Sequence, residues 1–190
     1  HDFRSLQLIL DLLRQRVGSP VSYASLARDV GIAPNTVKKY IQIFEALYLI
    51  FRGTPFAKNI ARSLMKEPKL YFFDTGLVIG DDSRRLENAV AVCLMKHVYG
   101  LRDQKGIRAG LHYLRTKEGK EIDFCLTEKD QPTMMIEVKK QDATLSKTLK
   151  YFNSKYGFRA LQLVMDLKRE KKAEGAEIRD ANRFLKSLFL

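Results

Sequence analysis

The sequence predicts an α/β protein with an N-terminal, mainly α domain at residues 1–80 and an α/β domain at residues 81–190. Through residues 3–49, apolar residues recur at helical spacing. From residue 111 onward, apolar and polar residues alternate in short runs, which are separated by residues typical of turns. Apolar side chains make up 45% of the chain, which is enough to form a packed core.

The N-terminal domain carries three predicted helices, at residues 3–17, 23–30 and 34–49. The third is expected to place Val37, Tyr40, Ile41, Phe44 and Leu47 on one face. Ser22 can cap the second helix, and Gly31 then makes a tight turn. Pro34 suits the first position of the third helix. Helices joined by a short turn that contains glycine are typical of a helix-turn-helix.

Two short strands are predicted after the third helix, at residues 49–52 and 70–73, with a basic segment between them. Three helices followed by two strands indicate a winged helix, in which the basic segment would lie along a phosphate backbone. The exposed side of the third helix would then contact base edges near its start. The DNA-binding candidates are Asn35, Thr36, Lys38, Lys39, Gln42, Lys58 and Arg62.

The formal charge is +12, because 34 Lys and Arg residues outnumber 22 Asp and Glu residues. An excess of this size favours a polyanionic partner, most often nucleic acid, and with the helix-turn-helix it favours DNA. The alternative is a charge that only keeps the protein soluble, and the charge alone leaves both open.

The cysteines and the apolar runs bear on location. Cys93 and Cys125 lie far apart in apolar runs and have neither metal-ligand nor disulfide-framework spacing. Reduced core cysteines of this kind are typical of a cytoplasmic protein. The sequence contains no run of about 18 apolar residues, so no membrane span is expected.

The second domain has the predicted order α-β-β-β-α-β-α. Its helices are predicted at residues 84–99, 144–156 and 181–190. Its strands are predicted at residues 111–116, 121–127, 133–139 and 160–165. The basic run at residues 168–172 is interpreted as a solvated loop or helix end, or as a phosphate contact.

Charged residues gather on one face of the hairpin predicted at residues 121–139. Because strand side chains alternate between faces, Asp123 can lie near Glu137 and Lys139 while the apolar neighbours are buried opposite. Glu87, at the start of the preceding helix, points toward the core side and could add a carboxylate. Carboxylates of this kind hold Mg²⁺, or Mn²⁺, and a nearby lysine can orient an attacking water. The pattern therefore suggests phosphodiester hydrolysis.

The same alternation is also what a half-exposed strand shows. Asp123, Glu137 and Lys139 would then form ordinary cross-strand salt bridges. Spacing alone leaves both readings open.

The motifs resemble known families. Residues 119–124 (GKEIDF) and 136–139 (IEVK) resemble the Asp…Glu-X-Lys signature of the PD-(D/E)XK nuclease superfamily, and Glu87 resembles its N-terminal helix acid. A closer resemblance is to the C-terminal region of prokaryotic AAA-type ATPases, where a winged helix joins a nuclease-like domain. Residues 69–77 (KLYFFDTGL) resemble that family's connecting strand and turn, and residues 33–37 (APNTV) its recognition-helix start.

The resemblance implies a restriction-endonuclease-like α/β core after the winged helix. It implies a catalytic set of Glu87, Asp123, Glu137 and Lys139, with the three carboxylates as ligands of Mg²⁺ or Mn²⁺. The family's nuclease chemistry is inferred from its fold, and a fold does not fix a function.

The chain departs from the full-length ATPases, because no G-x-x-x-x-G-K-[ST] motif occurs. ATP hydrolysis and further cofactors are therefore not expected. Since it begins at His1 without Met, the chain is expected to be a C-terminal fragment whose partner is the ATPase module of the parent protein. The alternatives to a DNA phosphodiesterase are a non-catalytic DNA-docking or oligomerisation module and a winged-helix transcriptional regulator.

Overall fold

The computed structural model describes residues 2–56, 67–141 and 143–188. It is a mixed α/β structure with a helical N-terminal region, as predicted. The chain forms two compact units, His1–Asn88 and Ala89–Leu190. Each unit has its own strands and its own buried apolar side chains.

The first unit begins with three helices, α1 (Phe3–Arg14), α2 (Tyr23–Val30) and α3 (Pro34–Ala46). An antiparallel pair of strands follows, β1 (Ile50–Pro55) and β2 (Lys69–Phe72). After a single 3-10 turn, Thr75–Leu77, comes the long helix α4 (Asp82–Lys105), whose residues from Ala89 onward belong to the second unit.

Local signals fix where α2 and α3 begin and end. The Ser22 hydroxyl accepts a hydrogen bond from the Ser25 N–H at 3.4 Å, which satisfies one of the first amides of α2. Gly31 follows α2 with a φ of 76°, a left-handed conformation that glycine adopts readily. Pro34 is the first residue of α3. All three predicted signals are confirmed.

The third helix is shorter than predicted. Tyr40 and Phe44 are buried on its inner side, but Leu47, expected on the same face, is 63% exposed. The helix ends just before Leu47, and Tyr48 then turns the chain with a φ of 54°. The prediction for Leu47 is wrong because its side chain lies beyond the last helical turn.

The side chain of Asn88 anchors β2. Its amide oxygen accepts a hydrogen bond from the Phe72 N–H, and its amide nitrogen donates to the Phe72 carbonyl, both at 2.9 Å. The same nitrogen donates to the Thr75 hydroxyl at 3.0 Å. Asn88 is fully buried, so these hydrogen bonds satisfy polar groups that are shielded from water.

Charges at the two ends of α4 suit its dipole. Asp82 lies in the first turn, and Arg102 and Lys105 lie in the last. Polar and charged residues also interrupt the apolar residues along the helix. Neither α4 nor another helix in the described ranges is long and apolar enough to cross a membrane.

The second unit contains one mixed sheet. Its strands are β3 (Ala109–Arg115), β4 (Glu121–Glu128), β5 (Gln131–Lys139), β6 (Arg159–Val164), β7 (Lys171–Ala173) and β8 (Ala176–Asp180). They lie side by side in the order β3-β4-β5-β6-β8-β7. The pairs β5-β6 and β6-β8 are parallel and the others antiparallel. Two helices complete the unit, α5 (Lys147–Tyr156) and α6 (Ala181–Lys186).

The hairpin of β7 and β8 corrects the predicted order α-β-β-β-α-β-α, which lacks both strands. Part of the run at residues 168–172, interpreted as a loop or helix end, belongs to β7. The turn uses left-handed conformations at Glu174 and Gly175, with φ of 49° and 79°. The strands were missed because β7 has three residues and β8 only five, too few to show a clear alternation.

Candidate functional site

Asp123 and Glu137 lie at neighbouring positions of the β4–β5 hairpin. The antiparallel register pairs Cys125 with Met135 and Phe124 with Ile136, so Asp123 and Glu137 occupy the next position along it. An oxygen of Asp123 accepts a hydrogen bond from the Val138 N–H at 2.8 Å. The predicted proximity of these two carboxylates is therefore present in the structure.

Glu137 is a buried carboxylate with an unusual environment. Only 6% of the residue is exposed. Burial, and after it the charge of Asp123, raises the pKa of Glu137 above its ordinary value. Two groups act in the opposite direction on its Oε1: the Lys139 ammonium at 2.8 Å and the Ser146 hydroxyl, which donates at 3.4 Å. Desolvation and the charge of Asp123 together outweigh these two contacts.

The second oxygen of Glu137, Oε2, is buried without a hydrogen-bond partner. Among the buried side-chain nitrogen and oxygen atoms of the described ranges, it is the one that lacks a hydrogen-bond partner. A buried polar atom without a partner destabilises a fold, and in native proteins it points to an ion, a water or a functional role. Glu137 Oε2 is thus an open acceptor beside a second carboxylate.

Gln162 supports the pair from the next strand, a role that the sequence reading missed. It lies opposite Glu137 in the parallel register of β5 and β6 and is fully buried. Its amide oxygen accepts from the Ser146 N–H and its amide nitrogen donates to the Thr144 carbonyl, both at 2.8 Å. The Ser146 hydroxyl accepts from the Leu149 N–H at 3.3 Å and so caps α5. A lone polar residue inside a buried strand is the signal that could have identified Gln162.

Glu87 lies in the first unit, where it has other partners. Its carboxylate accepts a hydrogen bond from the Tyr71 hydroxyl at 3.0 Å and lies 3.5 Å from the Lys69 ammonium, which is almost fully buried. The structure describes these contacts for Glu87, and its predicted role as a metal ligand stays a prediction. Within the described ranges, no three His, Cys, Asp or Glu side chains lie close enough together to hold a metal ion.

The pair of Asp123 and Glu137 still fits one kind of ion. Mg²⁺ binds oxygen ligands, keeps several of its waters and commonly uses only one or two carboxylates of the protein. The unpartnered Oε2 of Glu137 gives such an ion a ligand that pairs with nothing else. The donors therefore suit Mg²⁺ or Mn²⁺ better than zinc, for which histidine and cysteine ligands are usual.

The DNA-binding candidates on α3 are accessible. Asn35, Lys38, Lys39 and Gln42 are exposed, and Thr36 is half-buried. Their role in DNA binding stays a prediction. The other two candidates, Lys58 and Arg62, lie outside the described residues.

The cysteines are both free. Cys125 is buried, as expected for a core residue, and desolvation raises the pKa of its thiol to about 12. Cys93 is half-buried, and burial raises the pKa of its thiol as well.

Comparison with known families and proteins gives two kinds of match. Residues 84–181 match a domain of unknown function, DUF4143, and residues 1–80 match another, DUF8612. Uncharacterized proteins of Mycobacterium bovis (Mb2031c) and Mycobacterium tuberculosis (Rv2008c) are each 28% identical over 121 residues. Each match covers 60% of this chain but only 27% of the relative's length. No solved structure matches.

Proposed function

The chain belongs to the DUF4143 family, a domain found at the C-terminus of AAA-type ATPases, and on this premise we propose that it is the DNA-binding C-terminal part of such an ATPase. The domain that precedes it here is DUF8612. In the proposed function, Asp123 and Glu137 form a metal-dependent phosphodiesterase site. ATP hydrolysis is assigned to the ATPase module of the parent protein.

The observation that carries this proposal is the unpartnered Oε2 of Glu137 beside Asp123. Two carboxylates at close range repel each other, and burial adds a desolvation cost. A divalent cation offsets both effects. When bound, Mg²⁺ or Mn²⁺ lowers the pKa of a coordinated water and polarises a phosphate.

The protein residues have separate roles in this proposal. Asp123 and Glu137 hold the cation, and Lys139 lies where it can stabilise negative charge on a phosphate, since its ammonium is 2.8 Å from Glu137. Ser146 orients Glu137 through the donated hydrogen bond, and Gln162 holds Ser146 in place.

The order of helices and strands supports a proposed fold for each unit. Three helices followed by the β1–β2 pair support a winged helix in the first unit. In the second unit, helix α4, three antiparallel strands, α5 and the parallel strand β6 support a restriction-endonuclease-like core of the PD-(D/E)XK type. The carboxylate pair and Lys139 lie on the central strands of that sheet.

The second candidate is a non-catalytic module that docks the ATPase on DNA or promotes oligomerisation. The observation that favours it is the absence, within the described ranges, of a third acidic, histidine or cysteine ligand beside the pair. Here Lys139 and Ser146 would serve only to stabilise a buried Glu137. A winged-helix regulator is the remaining alternative, and it would rest on α3 alone.

The test combines cleavage with metal binding. Plasmid and linear DNA are incubated with the wild-type chain and Mg²⁺ or Mn²⁺, beside Asp123→Asn, which keeps an oxygen acceptor for the Val138 N–H. Glu121→Gln is the matched control, because Glu121 lies on the same strand but pairs with Arg115 at 3.6 Å.

We expect cleavage that Asp123→Asn abolishes and Glu121→Gln retains, with calorimetry showing loss of metal affinity only in the first variant. Metal binding and DNA binding without cleavage would favour the docking module. Cleavage that Asp123→Asn leaves unchanged would contradict the assigned site.

A further inference from the structure

Tyr151 on α5 gathers two lysine ammonium groups from separate parts of the second unit. The ammonium of Lys120, in the turn before β4, lies 3.8 Å from the centre of the Tyr151 ring. Lys155, one helical turn after Tyr151, lies 5.4 Å from the same centre and donates a hydrogen bond to the Tyr151 hydroxyl at 3.1 Å. The aromatic ring attracts both cations.

Lys147 extends this group of charges toward the start of α5. It precedes Tyr151 by four residues, so the two side chains lie on the same side of the helix. Lys120, Lys147 and Lys155 are all exposed. Together with Tyr151 they define what we call the tyrosine–lysine surface.

The tyrosine–lysine surface is positively charged on balance. Its acidic neighbour is Glu118, whose pKa is lowered first by a hydrogen bond within its own residue and by Thr116, and then by the charges of Lys155 and Lys120. This carboxylate interacts with two ammonium groups, those of Lys155 and Lys120. The ammonium groups of Lys120 and Lys155 repel each other near one ring. An anion bound there would interact favourably with both of them.

Short stretches of chain join the tyrosine–lysine surface to the carboxylate pair. Lys147 directly follows Ser146, whose hydroxyl donates to Glu137. Lys120 precedes Asp123 by three residues at the start of β4, a distance of about 10 Å in extended chain. An anion that occupies this surface would therefore approach Asp123 and Glu137.

We propose that the tyrosine–lysine surface binds the phosphate backbone of DNA and holds a strand beside Asp123 and Glu137. This inference rests on the DNA-binding part of the proposed function and adds a contact surface separate from α3. Exposed lysines contact phosphates as point charges and carry no base information, so binding here is independent of sequence. The regular spacing of phosphates suits cations presented from a helix and an adjoining turn.

The test measures affinity for a short DNA duplex by fluorescence anisotropy, over a range of salt concentrations and in EDTA. The double variant Lys120→Gln/Lys155→Gln is compared with Lys96→Gln/Lys186→Gln, which removes the same charge from exposed lysines elsewhere. Thermal denaturation confirms that both are folded. Lys38→Gln reports separately on α3.

Removal of Lys120 and Lys155 should weaken DNA binding several-fold relative to the matched control. The slope of log affinity against log salt should become shallower by about 0.9 for each lost phosphate contact. Tyr151→Phe keeps the ring but removes the hydroxyl that holds Lys155, so a smaller loss in the same direction is expected.

An affinity and salt slope equal to those of the control would overturn the inference while the proposed function stands. A loss seen with polyglutamate but not with DNA would overturn it in favour of an acidic protein partner. If the wild-type chain does not bind DNA at all, both proposals fail. The binding assay contains EDTA, so its result does not depend on whether the Asp123 site cleaves DNA.

Discussion

Gln162 and Glu137 lie directly opposite each other on the parallel strands β5 and β6, and Ser146 connects them. The Gln162 amide accepts a hydrogen bond from the Ser146 N–H, and the Ser146 hydroxyl donates to the Glu137 carboxylate. A fully buried amide thus fixes the start of α5 against the candidate metal ligand. This arrangement links the packing of the sheet to the geometry of the site.

Gln162→Leu should weaken both the fold and metal binding. The Ser146 N–H and the Thr144 carbonyl each lose the hydrogen bond to the Gln162 amide, and each such loss costs about 0.5–1.5 kcal/mol of unfolding free energy. Metal affinity should fall by about tenfold, as for other groups that orient a ligand. Denaturation and calorimetry measure the two effects. Gln131→Leu, at an exposed position, is the control. If Gln162→Leu lowers the stability but leaves the metal affinity unchanged, the role of Gln162 is purely structural.

Ser146→Ala separates helix capping from the contact with Glu137. Loss of the cap of α5 should cost about 1 kcal/mol, and loss of the donated hydrogen bond should raise the pKa of Glu137 further. Ser22→Ala removes a comparable cap from α2, with no expected effect on Glu137. NMR titration of the carboxyl groups measures the pKa. An equal pKa in the two variants would exclude Ser146 as an orienting group.

The raised pKa of Glu137 predicts how stability depends on pH. The carboxyl has an ordinary value of 4.5, and in the folded state it holds its proton to higher pH. As the pH rises from that value, the unfolded chain loses the proton first, so the contribution of Glu137 to stability falls until the pH passes the folded pKa. Without metal, Glu137→Gln should therefore be more stable than wild type at neutral pH and not at low pH.

Chemical denaturation across this pH range measures the effect. Glu177→Gln provides a control of opposite sign, because the hydrogen bond from Arg159 lowers the pKa of Glu177. Added Mg²⁺ should stabilise the wild type and remove the advantage of Glu137→Gln. A wild type that gains stability over Glu137→Gln as the pH rises would contradict the environment described for Glu137.

Asn88→Ala should destabilise the first unit. The change leaves the N–H and the carbonyl of Phe72 without the side chain that bonds both, which costs about 1–3 kcal/mol for each unpaired group. Thermal denaturation measures the loss, with Asn182→Ala at an exposed position as the control. Equal melting temperatures for the two variants would contradict the anchoring role of Asn88.

Glu87→Gln distinguishes two roles for Glu87. Its described partners are Lys69 and Tyr71, so the variant should lower stability and leave metal affinity unchanged. A ligand of the metal would instead show a marked loss of affinity in calorimetry. That outcome would restore Glu87 to the ligand set implied by the family resemblance.

Much of the local structure follows from the sequence. Ser22 and Gly31 act through neighbours within a few residues, and the alternation in β4 and β5 spans enough positions to show its period. The proximity of Asp123 and Glu137 could be predicted because a hairpin joins their strands directly. Such relationships depend on short stretches of chain.

Other contacts depend on residues far apart in the chain. Gln162 reaches Ser146 because β5 and β6 pair in parallel, and a helix separates these strands in sequence. Glu87 meets Lys69 across 18 positions. No local pattern encodes these distances, so the sequence did not reveal the support of Glu137 or the partners of Glu87.

We propose that Asp123 and Glu137 together bind a divalent cation. Calorimetric titration of the wild-type chain with Mn²⁺, beside Asp123→Asn, Glu137→Gln and the control Glu121→Gln, tests it most directly. We expect one site in the wild type and in Glu121→Gln, and a marked loss of affinity in Asp123→Asn and Glu137→Gln. No binding by the folded wild type, or equal binding by all four proteins, would contradict it.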